Sequence, residues 1–145
     1  MSEPVHLACP SCLAENRVPP ERFADRPICG VCKARLLPDA PIALDAASFG
    51  RYLERSDLPV VVDFWAEWCA PCRAMAPEFE SAARSLNGRA LLAKLDTEAS
   101  EEVAAHLDIR TIPTLILFRR GRELARTVGA MSADQLLGWL QQQGI

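Results

Sequence analysis

The chain has 145 residues, half of them hydrophobic, and a formal net charge of −3. That length suits one ordinary domain plus an appendage, and the composition is apolar enough to build a core. The mild acidity gives no global attraction to nucleic acid or an anionic membrane, and no apolar run approaches the roughly 20 residues that span a bilayer.

The opening segment, MSEPVHLACPSC, has neither a basic n-region nor an apolar h-region. No secretory signal is read there, and a cytosolic location is expected. The cytosol keeps most thiols reduced, so Cys-x-x-Cys pairs in that compartment point to metal binding or redox chemistry rather than to staples.

Residues 1–39 form the first region, with four cysteines, many prolines and little periodic hydrophobicity. A segment this small buries too little surface to fold without a staple. Cys9-x2-Cys12 and Cys29-x2-Cys32 are separated by sixteen residues, a spacing that reads as a four-cysteine zinc site. Four thiolates would surround Zn²⁺ tetrahedrally, one ion per chain, and leave no open position, which makes the role structural. Gly30 lets the second knuckle turn toward the metal. His6 is a spare donor that four cysteines make unnecessary, and two disulfides are the weaker alternative. Arg17, Arg22, Arg26, Lys33 and Arg35 balance Glu3, Glu15, Glu21, Asp25 and Asp39. The thiolate–zinc centre adds negative charge, so no phosphate-attracting patch exists.

LLPDAP (36–41) reads as the linker, because its prolines interrupt regular structure. The second region, 40–145, begins with a short strand, PIAL. A helix follows over DAASFGRYLERS, with Asp45 as N-cap and Phe49, Tyr52 and Leu53 on one face. PVVVDFWA is a near-continuous apolar run, as in a central strand covered on both sides. From Pro71, the residues Met75, Phe79, Ala82, Ala83 and Leu86 recur at helical spacing, and Pro77 predicts a kink. RALLAKLD is the next strand and SEEVAAHL a short helix. TLILF and ELARTV flank RRGR, where Gly121 suits a hairpin turn. The last helix, SADQLLGWLQQQ, opens with Ser132 and Gln135 at capping-box spacing and carries a stripe of Leu136, Leu137, Trp139 and Leu140. The order β-α-β-α-β-α-β-β-α predicts an α/β fold, a mixed sheet flanked by helices and closed by an antiparallel hairpin.

Cys69 and Cys72 fall where the central strand meets a helix. The unpaired N–H groups of that first turn stabilise a thiolate, and the Cys-x-x-Cys arrangement depresses the first thiol's pKa further. Cys69 would attack a substrate disulfide and Cys72 would resolve the mixed disulfide. Pro71 costs little there, because its missing N–H would be unpaired anyway. The alternatives are a buried structural pair or half of a second zinc site. No cysteine follows Cys72 and the only later histidine is His106, so such a site would need ligands from the first region.

Asp63 interrupts an apolar strand six residues before Cys69. Buried there, its pKa is raised and it can accept the proton of Cys72; at a sheet edge it would simply face water. Lys94 either pairs with Asp63 across neighbouring strands or snorkels to the surface. Pro113 opens a strand, which is ordinary, and composition does not decide its isomer. His106 is read as a surface residue, and Trp65 and Trp68 as core or as a docking surface beside the thiols.

VVVDFWAEWCAPC, RTIPTLILFRRG and TVGAMS, in this order and spacing, closely resemble the signature segments of the thioredoxins over about residues 41–145. Together with the four-cysteine extension, the chain is similar to the thioredoxin 2 subfamily, whose extension binds zinc. The resemblance implies a thioredoxin fold with a small N-terminal zinc ribbon or knuckle and protein-disulfide reductase activity. It implies that Cys69 and Cys72 are the attacking and resolving thiols and that Asp63 and Lys94 are the buried proton-handling pair. It further implies a cis-proline at Pro113 facing the disulfide, and a docking surface of Trp68, Ala70, Pro71, Ile112, Pro113 and Gly129. The expected partners are disulfide-containing proteins and an NADPH-dependent thioredoxin reductase, with no bound organic cofactor and a monomeric chain. One residue departs from the family: Ala70 stands where thioredoxins usually carry glycine. The residues between the cysteines set the balance of dithiol and disulfide, so the redox potential is not carried over.

Overall fold

The computed structural model describes residues 3–145. The first region opens with a hairpin of β1 (Val5–Ala8) and β2 (Glu15–Val18), followed by a 3-10 turn at Pro20–Asp25. The second region supplies β3 (Ile42–Leu44), α1 (Phe49–Glu54), β4 (Val60–Trp65), α2 (Ala70–Ser85) and β5 (Leu91–Asp96). It continues with α3 (Glu101–His106), β6 (Thr114–Arg119), β7 (Arg122–Val128) and α4 (Ala133–Gln142). This is the element order expected from the periodicities, and the N-terminal hairpin is the addition.

The second sheet runs β3-β5-β4-β6-β7. The first three strands are parallel, and β6 and β7 are antiparallel to their neighbours. With β5 on one side and β6 on the other, β4 is central, which is why VVVDFW is apolar almost throughout. Arg120 and Gly121 both have positive φ, 52° and 83°, the backbone of a two-residue type I′ turn that matches strand twist.

Two caps refine the sequence reading. The Ser132–Gln135 capping box is present, with reciprocal bonds of 3.1 and 2.9 Å. The N-cap position of α1 is Ser48 rather than Asp45. Asp45 instead accepts the N–H groups of Ala47 and Ser48, each at 2.9 Å, and so caps the turn leading into the helix. These bonds favour the carboxylate and hold its pKa below the usual value. α2 is one continuous helix across Pro77, which lies on its exposed side.

Strand alternation splits the core in two. Val61, Leu92, Leu115 and Leu117 face α2 and α4, against Met75, Phe79, Leu86, Leu136 and Leu140. Val60, Val62, Phe64, Ala93, Leu95, Ile116 and Phe118 face the other way, onto Tyr52 and Leu53. The first region joins this second cluster: Leu7, Ala8, Cys9, Val18, Cys29, Leu36 and Leu37 are buried in it. Leu36 and Leu37, read from sequence as linker, are anchors. A segment too small to make its own core completes the neighbour's instead. Polar contacts pin it further. Asp57 accepts the backbone N–H of His6 at 2.7 Å and meets Arg120 at 2.7 Å, Arg55 donates to the Leu13 carbonyl at 2.8 Å, and Asn87 donates to the Leu37 carbonyl at 3.1 Å.

The Tyr52 hydroxyl is buried in the shared cluster without a hydrogen-bond partner among the described residues, and burial pushes its pKa up so that it stays neutral. Tyr52→Phe removes an unpaired polar group without changing the packing shape. It is expected to leave stability unchanged or raise it by about 1 kcal/mol; a loss of more than about 1 kcal/mol in urea unfolding would contradict this.

Candidate redox site and metal centre

The end of β4 and the start of α2 position the two thiols. Cys69 is the N-cap of α2, in extended backbone, and its sulfur accepts the N–H of Cys72 at 3.3 Å. The cysteines form a disulfide with Cα atoms 5.3 Å apart, within the ordinary span. Pro71 occupies the first helical turn. Both cysteines are largely buried, whereas Ala70 and Pro71 between them are exposed and Trp68 is 64% exposed. Trp68 therefore stands beside the disulfide as surface, not core.

Across from α2, the loop before β6 carries a cis Ile112–Pro113 bond. The Ile112 carbonyl oxygen lies 3.8 Å from the Cys69 sulfur, and the Pro113 carbonyl accepts the Gly129 N–H at 2.9 Å. Gly129 has φ of 103°, a backbone that favours glycine. Of the residues expected on a docking surface, Trp68, Ala70 and Pro71 thus adjoin the first thiol in sequence and Ile112 meets it through its carbonyl, while Pro113 is buried and hydrogen-bonded to Gly129.

Asp63 lies on the face of β4 that carries Val61, the face covered by α2. It is 3% exposed, and its Oδ1 has no hydrogen-bond partner among the described residues. The edge-strand alternative is excluded by β4's central place. Burial pushes its pKa up to about 7, opposed in part by the charge of Lys94. Lys94 is the register partner of Asp63 on β5. It makes no ion pair with Asp63; its Nζ lies 4.4 Å from the centroid of the Trp65 ring. A half-exposed ammonium there keeps hydration and gains a cation–π contact. Sequence reading missed this role of Trp65, for which no local signal exists. His106 ends α3 and is exposed, away from the pair.

A raised carboxyl pKa has a sign that can be tested. The native state holds the Asp63 proton up to about pH 7, whereas an unfolded aspartate releases it near 3.9. Stability therefore falls as pH rises between these values, by an amount on the order of a few kcal/mol. Asp63→Asn is expected to flatten this slope and to be the more stable protein at pH 8, with little difference at pH 4. Urea unfolding at the two pH values checks it.

In the first region the four expected ligands converge. The sulfurs of Cys9, Cys12, Cys29 and Cys32 all lie within 4.8 Å of one another. Cys9 and Cys32 approach to 3.4 Å and Cys12 and Cys29 to 3.7 Å; a tetrahedral zinc with bonds of about 2.3 Å spaces its sulfurs about 3.8 Å apart. The knuckles repeat one design. Leu13 and Lys33 donate to the Cys9 and Cys29 carbonyls, at 2.9 and 3.0 Å, and both have positive φ, 67° and 70°. Ser11 and Cys12 N–H groups point at the Cys9 sulfur, and Val31 N–H at that of Cys29. The backbone N–H of Cys32, the Asn16 amide and the Val31 N–H pull the Cys29 thiol down to about 6, whereas burial outweighs its two donors at Cys9 and pushes that thiol up. Donor set and spacing suit one tetrahedral ion of the zinc class.

The redox pair and the contacts that hold the first region lie at opposite ends of β4 and α2. Cys69 follows the C-terminal end of β4, while Arg55, Asp57 and Asn87 hold the first region near its N-terminal end. Asn87 and Cys69 flank α2, whose 16 residues separate them by about 24 Å at 1.5 Å per residue.

A closed dithiol pair at a helix start, opposite a cis-proline loop, has thiol–disulfide exchange as its chemistry, which makes this chain a dithiol oxidoreductase. Comparison with known proteins agrees. Residues 40–142 match the Thioredoxin family, and residues 8–34 match the zinc-ribbon family described as Thioredoxin 2, N-terminal. Thioredoxin C-3 of Corynebacterium nephridii is 46% identical over 94% of both chains. A Pseudomonas aeruginosa thioredoxin is 40% identical over 65% of this chain and 87% of its own. The solved structure of a mutant thioredoxin from Halobacterium salinarum NRC-1 superposes with a TM-score of 0.66 at 29% identity, covering 73% of this chain and 92% of that one. The chain belongs to the thioredoxin family, and it is a thiol–disulfide oxidoreductase.

Proposed function

We propose that the chain reduces protein disulfides in the cytosol through Cys69 and Cys72, is returned to the dithiol by an NADPH-dependent thioredoxin reductase, and carries one structural Zn²⁺. The observation that carries the reading is the Cys72 N–H on the Cys69 sulfur at the start of α2, inside a thioredoxin fold. The same N–H that meets the disulfide sulfur stabilises the Cys69 thiolate once the pair is reduced. That thiolate attacks one substrate sulfur and expels the other, giving a mixed disulfide. Cys72 then gives up its proton and attacks the Cys69 sulfur, releasing the substrate as a dithiol and closing the intramolecular disulfide. Asp63, uncharged near neutral pH in part of the molecules and ionised in the rest, is poised to take the Cys72 proton. Lys94 tunes Asp63 through its charge. Trp68, Ala70, Pro71, Ile112, Pro113 and Gly129 form the surface on which an extended substrate segment docks.

Cys9, Cys12, Cys29 and Cys32 would hold the zinc. With four protein ligands the ion supplies cross-linking and no open coordination position. Residues 1–39 and 40–145 are two units by chemistry that share one core. No helix among the described residues is long and apolar enough to cross a membrane, which is compatible with the cytosolic reading. A monomer without nucleic-acid partners is the expected working form. The test is insulin reduction coupled to NADPH and thioredoxin reductase, with metal analysis of the same sample. Reductase-dependent NADPH consumption and about one zinc per chain are expected; a wild-type protein inactive in this assay, or native without metal, contradicts the corresponding half.

A further inference from the structure

Asn16 sits on β2, behind the first knuckle, and its side-chain amide reaches the second. Its Nδ2 donates to the Ala14 carbonyl at 3.1 Å and to the Cys29 sulfur at 3.5 Å. Its Oδ1 accepts the Gly30 N–H at 2.9 Å. The orientation of the amide is determined by this set, because only the oxygen can accept from Gly30 and only the nitrogen can donate to a sulfur and a carbonyl. The Ala14 carbonyl also takes the Cys9 N–H at 2.9 Å. One half-buried side chain therefore links the backbone of the first knuckle, the turn of the second and a ligand sulfur. Asn16 and Cys29 are thirteen positions apart in the chain, and the intervening 3-10 turn makes no such link itself.

We propose that Asn16 is the positioning residue of the metal centre, holding the second knuckle in register with the first and donating a hydrogen bond to the Cys29 thiolate. This rests on the reading of the four cysteines as a zinc site. Groups that hydrogen-bond to metal ligands orient them and tune their donor strength, and their loss typically costs 10–100-fold in affinity. Asn16 performs both tasks with different atoms: Oδ1 holds the loop through Gly30, and Nδ2 polarises the sulfur. Aspartate separates them. It retains an oxygen for Gly30 but presents no donor, and sets a negative charge against the thiolate.

The experiment measures zinc affinity by competition with a chromophoric chelator for the wild-type full chain, Asn16→Ala and Asn16→Asp. The same proteins saturated with Co²⁺ give the sulfur-to-cobalt charge-transfer band. Wild type binding one zinc supports the metal site itself; wild type binding none overturns both that reading and this one. Both variants are expected to bind zinc about 10–100-fold more weakly. At saturation their charge-transfer band should move to longer wavelength, because a thiolate without its N–H donor holds its electrons less tightly. A purely architectural side chain would weaken binding without moving the band. An Asn16→Asp affinity within twofold of wild type, or an unshifted band in both variants, overturns the proposal.

Discussion

Serine at position 69 is expected to abolish disulfide reduction, by on the order of a thousandfold or more, because a hydroxyl is almost never ionised at neutral pH and the thiolate is the attacking species. The same change at Cys72 has a different signature. Cys69 is the N-cap whose sulfur receives an N–H from the helix start, so it still attacks, but nothing resolves the product. Cys72→Ser should therefore accumulate a mixed disulfide with substrate, visible as a covalent adduct that a small thiol releases. The asymmetry follows from place rather than from burial, which is the same for both: Cys69 is the N-cap, beside exposed Trp68 and the Ile112 carbonyl, whereas Cys72 lies within the first turn of α2. Equal trapping by the two single variants would contradict this assignment of roles.

The second large effect lies in the first region. Cys9→Ser or Cys29→Ser, or exhaustive chelation, should release the metal and lower the thermal midpoint of the whole chain by about 10 °C or more. Binding of a structural zinc is folding free energy, and a loss of even about 3 kcal/mol shifts a chain of this size by that much. The loss does not stay local. Seven residues of segment 1–39 are buried in the cluster that also holds Tyr52, Phe64 and Ile116, so loosening the segment exposes one face of the main sheet. Differential scanning calorimetry with and without chelator decides it. Two separate transitions, with the upper one unmoved by metal removal, would show that the shared core transmits nothing.

Much of this architecture was legible in the chain itself, because it rests on local rules. The period-2 and period-3.6 patterns report which residues face a core, so the element order of the second region followed from them. Cys-x-x-Cys brings two sulfurs within reach whatever surrounds them, and a proline in a first helical turn is tolerated by the helix's own geometry. Leu36 and Leu37 show where such rules stop. Followed by Pro38 and Pro41, they carry no periodicity, and their burial is set by a sheet face whose central strand comes more than twenty residues later.

The side-chain partners were likewise undetermined. Lys94 is beside Asp63 in register, yet its ammonium lies over Trp65, two residues further along the strand. That choice depends on burial and ring orientation, which no spacing encodes. The isomer of Ile112–Pro113 and the reach of Asn16 to Cys29 are of the same kind. What the amino-acid order alone determined here was composition of the parts: a redox pair at a strand–helix junction, a four-sulfur donor set and an α/β scaffold. What only the folded chain decided was their placement, with the redox pair at one end of α2, the first region held at the other, and one core serving both regions. Secondary structure answers to neighbours in sequence, whereas burial, pKa and ligand geometry answer to neighbours in space.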